Sequence, residues 1–248
     1  MRNRGGLVVA CAAMIGLGGC QSPTIPDPND PKNVGVLAPD VLRNLLKGAS
    51  TQFFGRAQRG EITDAEAHKF LAEYANSLLR TVESSRVPKD KAWEYAEVLI
   101  TAKRWTMARK FLEIALENPP NQDRRVNDTL RYARVLCELG DVKGGIAQAR
   151  KAFDAPPTDK APILTAIYLE VVPSGENKKF DRELARLIED AVPQSEQTVV
   201  DVNSQEGMRF VAARPYHIRK ALAKAMELYQ RSGDTAAALR VAQRAERI

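Results

Sequence analysis

Residues 127–157 read NDTLRYARVLCELGDVKGGIAQARKAFDAPP, and within them small side chains recur at the steps where two helices would touch. Leu130, Ala133, Leu136 and Cys137 follow one another at three- and four-residue spacing, which gathers them on one helical face. Gly140 can take a positive φ and close that helix, and Asp141 can cap the next one. Ile146, Ala149, Ala152 and Phe153 then restart the period. The spacing predicts two antiparallel helices joined at Leu139, Gly140 and Asp141. Ala133, Gly145, Ala149 and Ala152 are small enough to let the two backbones interdigitate.

A small residue in the first helix, a turn glycine, spaced small or apolar residues in the second helix and a closing proline together resemble a tetratricopeptide repeat, a 34-residue unit. Ala133, Gly140, Gly145, Ala149, Ala152 and Pro157 occupy those places in order. Thr129 and Leu136 stand where the family commonly has large aromatics. One hairpin cannot bury its own apolar face, so the resemblance implies a series of them. Upstream, Ala96, Ala108, Leu112, Ala115 and Pro120 repeat the pattern with Trp105 at the turn; downstream, Tyr229, Gly233, Asp234, Ala238, Ala242 and Ala245 repeat it again. A degenerate copy lies between, where Leu184, Ile188 and Ala191 form a second helix behind a loop containing Pro173 and Gly175. The expected fold is all-α: antiparallel hairpins stacked as a right-handed superhelix, or solenoid. The hairpins are placed at about 38–84, 90–118, 127–155, 161–192 and 216–247 within a domain spanning 37–248.

The amino terminus differs in kind. Arg2 and Arg4 precede an apolar run at 7–17, shorter than the roughly twenty residues that span a bilayer. Leu17, Gly18, Gly19 and Cys20 end it and resemble a bacterial lipobox. That resemblance implies removal of residues 1–19 as a signal peptide and acylation of Cys20, with several acyl chains holding the protein on a membrane. Gln21, not Asp, follows the cysteine, which within that family favours an outer-membrane, periplasm-facing location. Residues 20–36 carry Pro23, Pro26, Pro28 and Pro31 and little to bury, the composition of an extended tether.

Pro39 and Asp40 open a helix carrying Val41, Leu42, Leu45, Leu46 and Ala49 towards Phe53 and Phe54, ended by Gly60. Thr63 with Glu66 forms a capping box before a second helix. Residues 194–214 are expected to form a long loop, β-prone at 198–202, and such loops are often functional. His217 is read as a surface or capping residue near a helix start after Pro215. Cys137 is read as a small buried hydrophobe.

Chemistry-bearing motifs are sparse. No nucleophile elbow, phosphate loop, dinucleotide fingerprint or H-E-x-x-H sequence occurs. Asp64 and His68 share a helix face, but two ligands do not make a zinc site and an exposed ion pair is expected instead. The formal charge of +6, from 37 basic and 31 acidic residues, is spread along the chain without the aromatic–basic interleaving of a nucleic-acid binder. No catalytic residue, metal or cofactor is expected. The repeat resemblance places a concave, partner-binding groove on the first helices of the hairpins, with Asp90, Trp93, Glu97, Ile100, Asn127, Leu130, Arg134 and Cys137 at its positions. Of these, Trp93, Glu97, Asn127 and Arg134 are the candidate contact residues, although Trp93 can equally pack on the amino-terminal hairpin. Lys220, Lys224, Arg240, Arg244 and Arg247 form a basic end face, either solvated or docked on anionic lipid or an acidic partner. The expected role is a membrane-anchored interaction scaffold or adaptor for another protein or peptide at the cell envelope. The alternatives are a small-ligand-binding helical protein and an enzyme with its site at 194–214.

Overall fold

The computed structural model describes residues 38–80, 82, 87–176 and 179–248. Residues 1–37, which include the expected signal, Cys20 and the tether, lie outside them. In chain order the helices are α1 (Pro39–Gln58), α2 (Asp64–Leu79), α3 (Ala92–Thr101), α4 (Trp105–Glu117), α5 (Gln122–Glu138), α6 (Val142–Arg150), α7 (Ile163–Ala166), α8 (Val172–Gly175), α9 (Asp181–Glu196), α10 (Gln205–Arg231) and α11 (Thr235–Glu246). The protein is all-helical, with no strand among the described residues; Thr158 makes isolated bridges to Ala161 and Val199. None of the described helices is long and apolar enough to cross a membrane.

Local chemistry accounts for the helix ends. Thr63 accepts from the Glu66 amide while the Glu66 carboxylate accepts from the Thr63 amide (2.8 Å), which satisfies two amides that have no intrahelical partner. Asn121, Asp141, Ser204 and Asp234 cap α5, α6, α10 and α11 in the single-sided way. Four helices end in one shared motif. After α5 the Asp141 amide donates to the Leu136 carbonyl (2.9 Å) and the Gly140 amide to that of Cys137 (3.0 Å), with Gly140 at φ 92°. The same bond pair recurs around Gly60 and Gly233, at φ 73° and 78°. These positions favour glycine because a Cβ crowds the local backbone in the left-handed region. The fourth copy, after α3, places Lys103 there at φ 56°.

Packing runs between elements close in sequence. α1 pairs with α2, α3 with α4, α5 with α6, and α10 with both α9 and α11; α3 also packs on α1, and α4 on α5. Gly145 explains the closeness of α5 and α6, since a Cβ there would lie 2.7 Å from the Ala133 carbonyl oxygen and nearer still to the Cys137 sulfur. Helix α5 is buried on two sides. Val126, Leu130, Ala133 and Cys137 join a core that continues to Val241, whereas Val135 joins the core built from α1 to α4. Leu130 and Cys137 are therefore core residues, not part of a groove, and Cys137 is fully buried.

Two expectations are corrected. Pro173 and Gly175 lie not in a loop but in α8, which continues from α7 through a π turn at Ile167–Val171. The Val172 amide reaches back five residues to Ile167, and Pro173 has no amide to donate, so the wider turn removes one bond from the ladder at little cost. The long loop at 194–214 is confined to residues 197–204. Ser204 caps α10, its hydroxyl accepting from the Gly207 amide (2.9 Å), and Met208 through Ala213 are helical. Pro215 consequently sits inside α10, and His217 is well within the helix. His217 is half-buried, its Nδ1 2.6 Å from the Tyr168 hydroxyl.

Candidate partner-binding groove

Helices α1, α3 and α5 each present one face to a common hollow. Arg43 and Lys47 reach it from α1, Glu97 and Thr101 from α3, and Arg131 and Arg134 from α5; its volume is about 320 Å³. A second hollow of about 570 Å³ continues from it past Phe54, His68, Lys103 and Trp105. The two share Leu71, Ile100, Thr101 and Arg134, so they form one cleft with a charged end and an aromatic end.

Glu97 anchors the charged end. Its carboxylate accepts from Arg43 Nε and from Arg124 Nη1 (3.1 Å), and pairs with Arg131 Nη2 at 2.8 Å. Behind it, Asp128 is wholly buried and accepts from Arg131 Nη1 at 3.0 Å. Burial opposes the Glu97 charge, but Arg131, Arg43 and Arg124 outweigh it and hold the carboxyl below its usual range. At Asp128 burial prevails over Arg131 and Arg124, and the carboxyl is pushed up. Two guanidiniums lie over the Trp93 ring, Arg124 3.7 Å and Arg43 4.8 Å from its centroid. The cluster joins residues of α1, α3 and α5 and fixes the groove floor. Arg134 sits where the two hollows meet, Nη1 3.3 Å from Glu170 and its guanidinium 5.7 Å from the Trp105 ring. Its Nε is buried without a hydrogen-bond partner.

Glu97, Ile100 and Arg134 thus line one cleft. Trp93 is packed behind it by Arg43 and Arg124, which places it against the amino-terminal hairpin. Asn127 faces elsewhere and donates to the Lys160 carbonyl (3.3 Å). Arg43, Arg124 and Arg131 were not marked by the sequence. The spacing of Arg124, Asp128 and Arg131 on one helix face hints at a network, but nothing local points to Glu97 or Arg43 as their partners. His68 stacks edge-on with Phe54 (4.8 Å), and no group of three or more His, Cys, Asp or Glu among the described residues could hold a metal.

The basic end face is largely spent on internal pairs. Arg240 bonds Glu189 (2.7 Å), Arg244 bonds Glu196 (3.1 Å), and Lys224 pairs with Glu176 and Glu227. Glu189 also accepts from the Tyr229 hydroxyl, whose pKa burial and that bond raise. Lys220 lies over the Tyr216 ring (5.7 Å). Arg247 has no ion pair among the described residues.

No family model and no curated protein matches the chain. The cleft's own chemistry therefore carries the functional reading.

Proposed function

We propose that this chain is a lipoprotein of tetratricopeptide type, anchored through acylated Cys20, that works without catalysis as an interaction scaffold or adaptor at the bacterial cell envelope. Its hairpins stack as a right-handed superhelix, and the concave side receives an extended or helical segment of another protein. The observation that carries the reading is the cleft running over α1, α3 and α5, charged at Arg43, Lys47 and Arg131 and aromatic at Phe54 and Trp105. Its floor is preset by the Glu97 network, so a partner meets side chains already ordered, which lowers the entropy cost of binding. The half-buried Arg134, with a donor left over, is the central contact.

A photocrosslinking residue at Lys47, in the cleft, and another at Ala147, exposed on α6, test this in intact envelopes. The expected result is one discrete protein adduct from position 47 that disappears in the Arg134→Glu variant, with none from position 147. Equal adduct patterns at both positions, or an adduct indifferent to Arg134→Glu, refute the groove.

A further inference from the structure

Eleven large apolar side chains are exposed among the described residues, and five of them fall between positions 199 and 216: Val199, Val202, Met208, Val211 and Tyr216. Val199 is 84% exposed and Met208 54%. The loop at 197–204 folds back on α10, for a Cβ at Gly207 would collide with the Asp201 carbonyl oxygen and the Val200 side chain. Loop and helix start therefore make one surface. Met208, Ala212 and Tyr216 stand four residues apart with Val211 beside them, which aligns them along α10. The later turns of α10 bury Ile218, Ala221, Leu222, Ala225 and Leu228 on a face from which Met208, Ala212 and Tyr216 turn away and which Val211 continues towards the helix start. The antiparallel α11 has twelve residues to the twenty-seven of α10 and so covers only its later half.

The charged groups of this surface lean one way. Arg209, Arg219 and Lys220 are exposed beside the apolar stripe, against Asp201 and Glu206; Arg214 turns inward to the carbonyls of Glu196 and Thr198. Aliphatic side chains edged by cations, with an amphipathic tyrosine at the margin, match a bilayer interface, where apolar groups enter the acyl boundary and guanidiniums meet phosphates. A patch on the order of a few hundred Å² is small beside the ~800 Å² that each partner gives to a stable dimer.

We infer that the loop at 197–204 and the first half of α10 rest on an anionic lipid surface. The inference builds on the membrane-anchored part of the function proposed above: an acyl anchor keeps the body close to lipid, so a weak patch suffices to orient it. The internally paired arginines of α11 take no part. With α10 on the bilayer, the cleft between α1, α3 and α5 is held at a set angle to the membrane.

The test places benzoylphenylalanine at Met208, Val211 or Leu239 in the full chain, produced in cells whose lipids carry a clickable acyl chain. After irradiation, lipid adducts are scored at each position, and the mass of the Cys20 peptide is read in the same sample. Adducts at 208 and 211 several-fold above those at 239, and reduced by Arg209→Glu with Arg219→Glu, are the expected result. An acylated Cys20 with no excess of lipid adduct at 208 overturns the inference while leaving the anchor intact. An unmodified Cys20 defeats the anchor, and the lipid adducts still report the patch independently. Crosslinking of 208 to a second copy of the chain overturns it in favour of self-association.

Discussion

Replacing Glu97 by Gln keeps the shape of the side chain and removes the charge on which three arginines converge. Arg124 and Arg131 would then keep only Asp128, and Arg43 would lose its carboxylate partner. Their side chains are 17–28% exposed, so water screens them incompletely. Breaking a buried ion pair by removing one partner costs ~3–5 kcal/mol. Because the glutamine oxygen still accepts a hydrogen bond and the arginines reach some solvent, the lower end applies, about 3 kcal/mol. For a chain of this size that corresponds to a fall in Tm of roughly 6–12 °C. Thermal and urea unfolding at pH 7 measure it, and hydrogen exchange should locate the loss in α1, which Arg43 ties to α3. The pH dependence is the sharper check. The folded pKa of Glu97 is below its ordinary value of 4.5, so the stability it contributes is full above that value and is lost as pH falls through the folded one. The gap between the native protein and Glu97→Gln should therefore close on acidification. Asp128 acts in the opposite sense: its pKa is raised, so its contribution is present below 3.8 and lost as pH rises through the folded value. Both proteins carry it, and it drops out of the difference to first order. A gap under about 0.5 kcal/mol, within the range of an ordinary surface substitution, or a gap that stays constant from pH 7 to pH 3, would refute an electrostatic role for the network.

Two other substitutions separate steric from conformational costs. Gly145→Ala pushes a Cβ into the backbone of α5 and should destabilise by about 3 kcal/mol, whereas Gly140→Ala has open space around it and should lose only about 1 kcal/mol through its left-handed φ; equal losses in urea unfolding would contradict the close approach. Lys103→Gly should stabilise by about 0.5–1 kcal/mol, because the remaining turn of the shared motif then gains the residue its φ of 56° favours. A lower urea midpoint for that variant would mean that the lysine side chain supports the fold.

Half of the groove could be named from its residues. Glu97 and Arg134 stand at helical positions facing a common side, a pattern of short spacing. Trp93 was readable only as one of two alternatives, and the contact with Arg43, 50 positions earlier, decides between them. Leu130 and Cys137 look like groove positions by the same spacing, yet they are core because α5 has packed neighbours on two faces. The basic end face illustrates the same limit. Arg240 and Arg244 form a stripe in sequence, but Glu189 and Glu196, 51 and 48 residues away, neutralise it.

What the residue order settles by itself is whatever acts over about five residues: apolar period, caps at Thr63 and Asp141, and turns at Gly60, Gly140 and Gly233. These follow from backbone hydrogen bonding and from the room a Cβ needs. The turn at Lys103 shows that packing on both sides can hold even a lysine in the left-handed region. Only the folded arrangement decides which arginines meet Glu97 and which face of α10 stays bare. The partners of Glu97 lie 27 to 54 residues from it in the chain and are brought together when the helices dock and exclude water from between them.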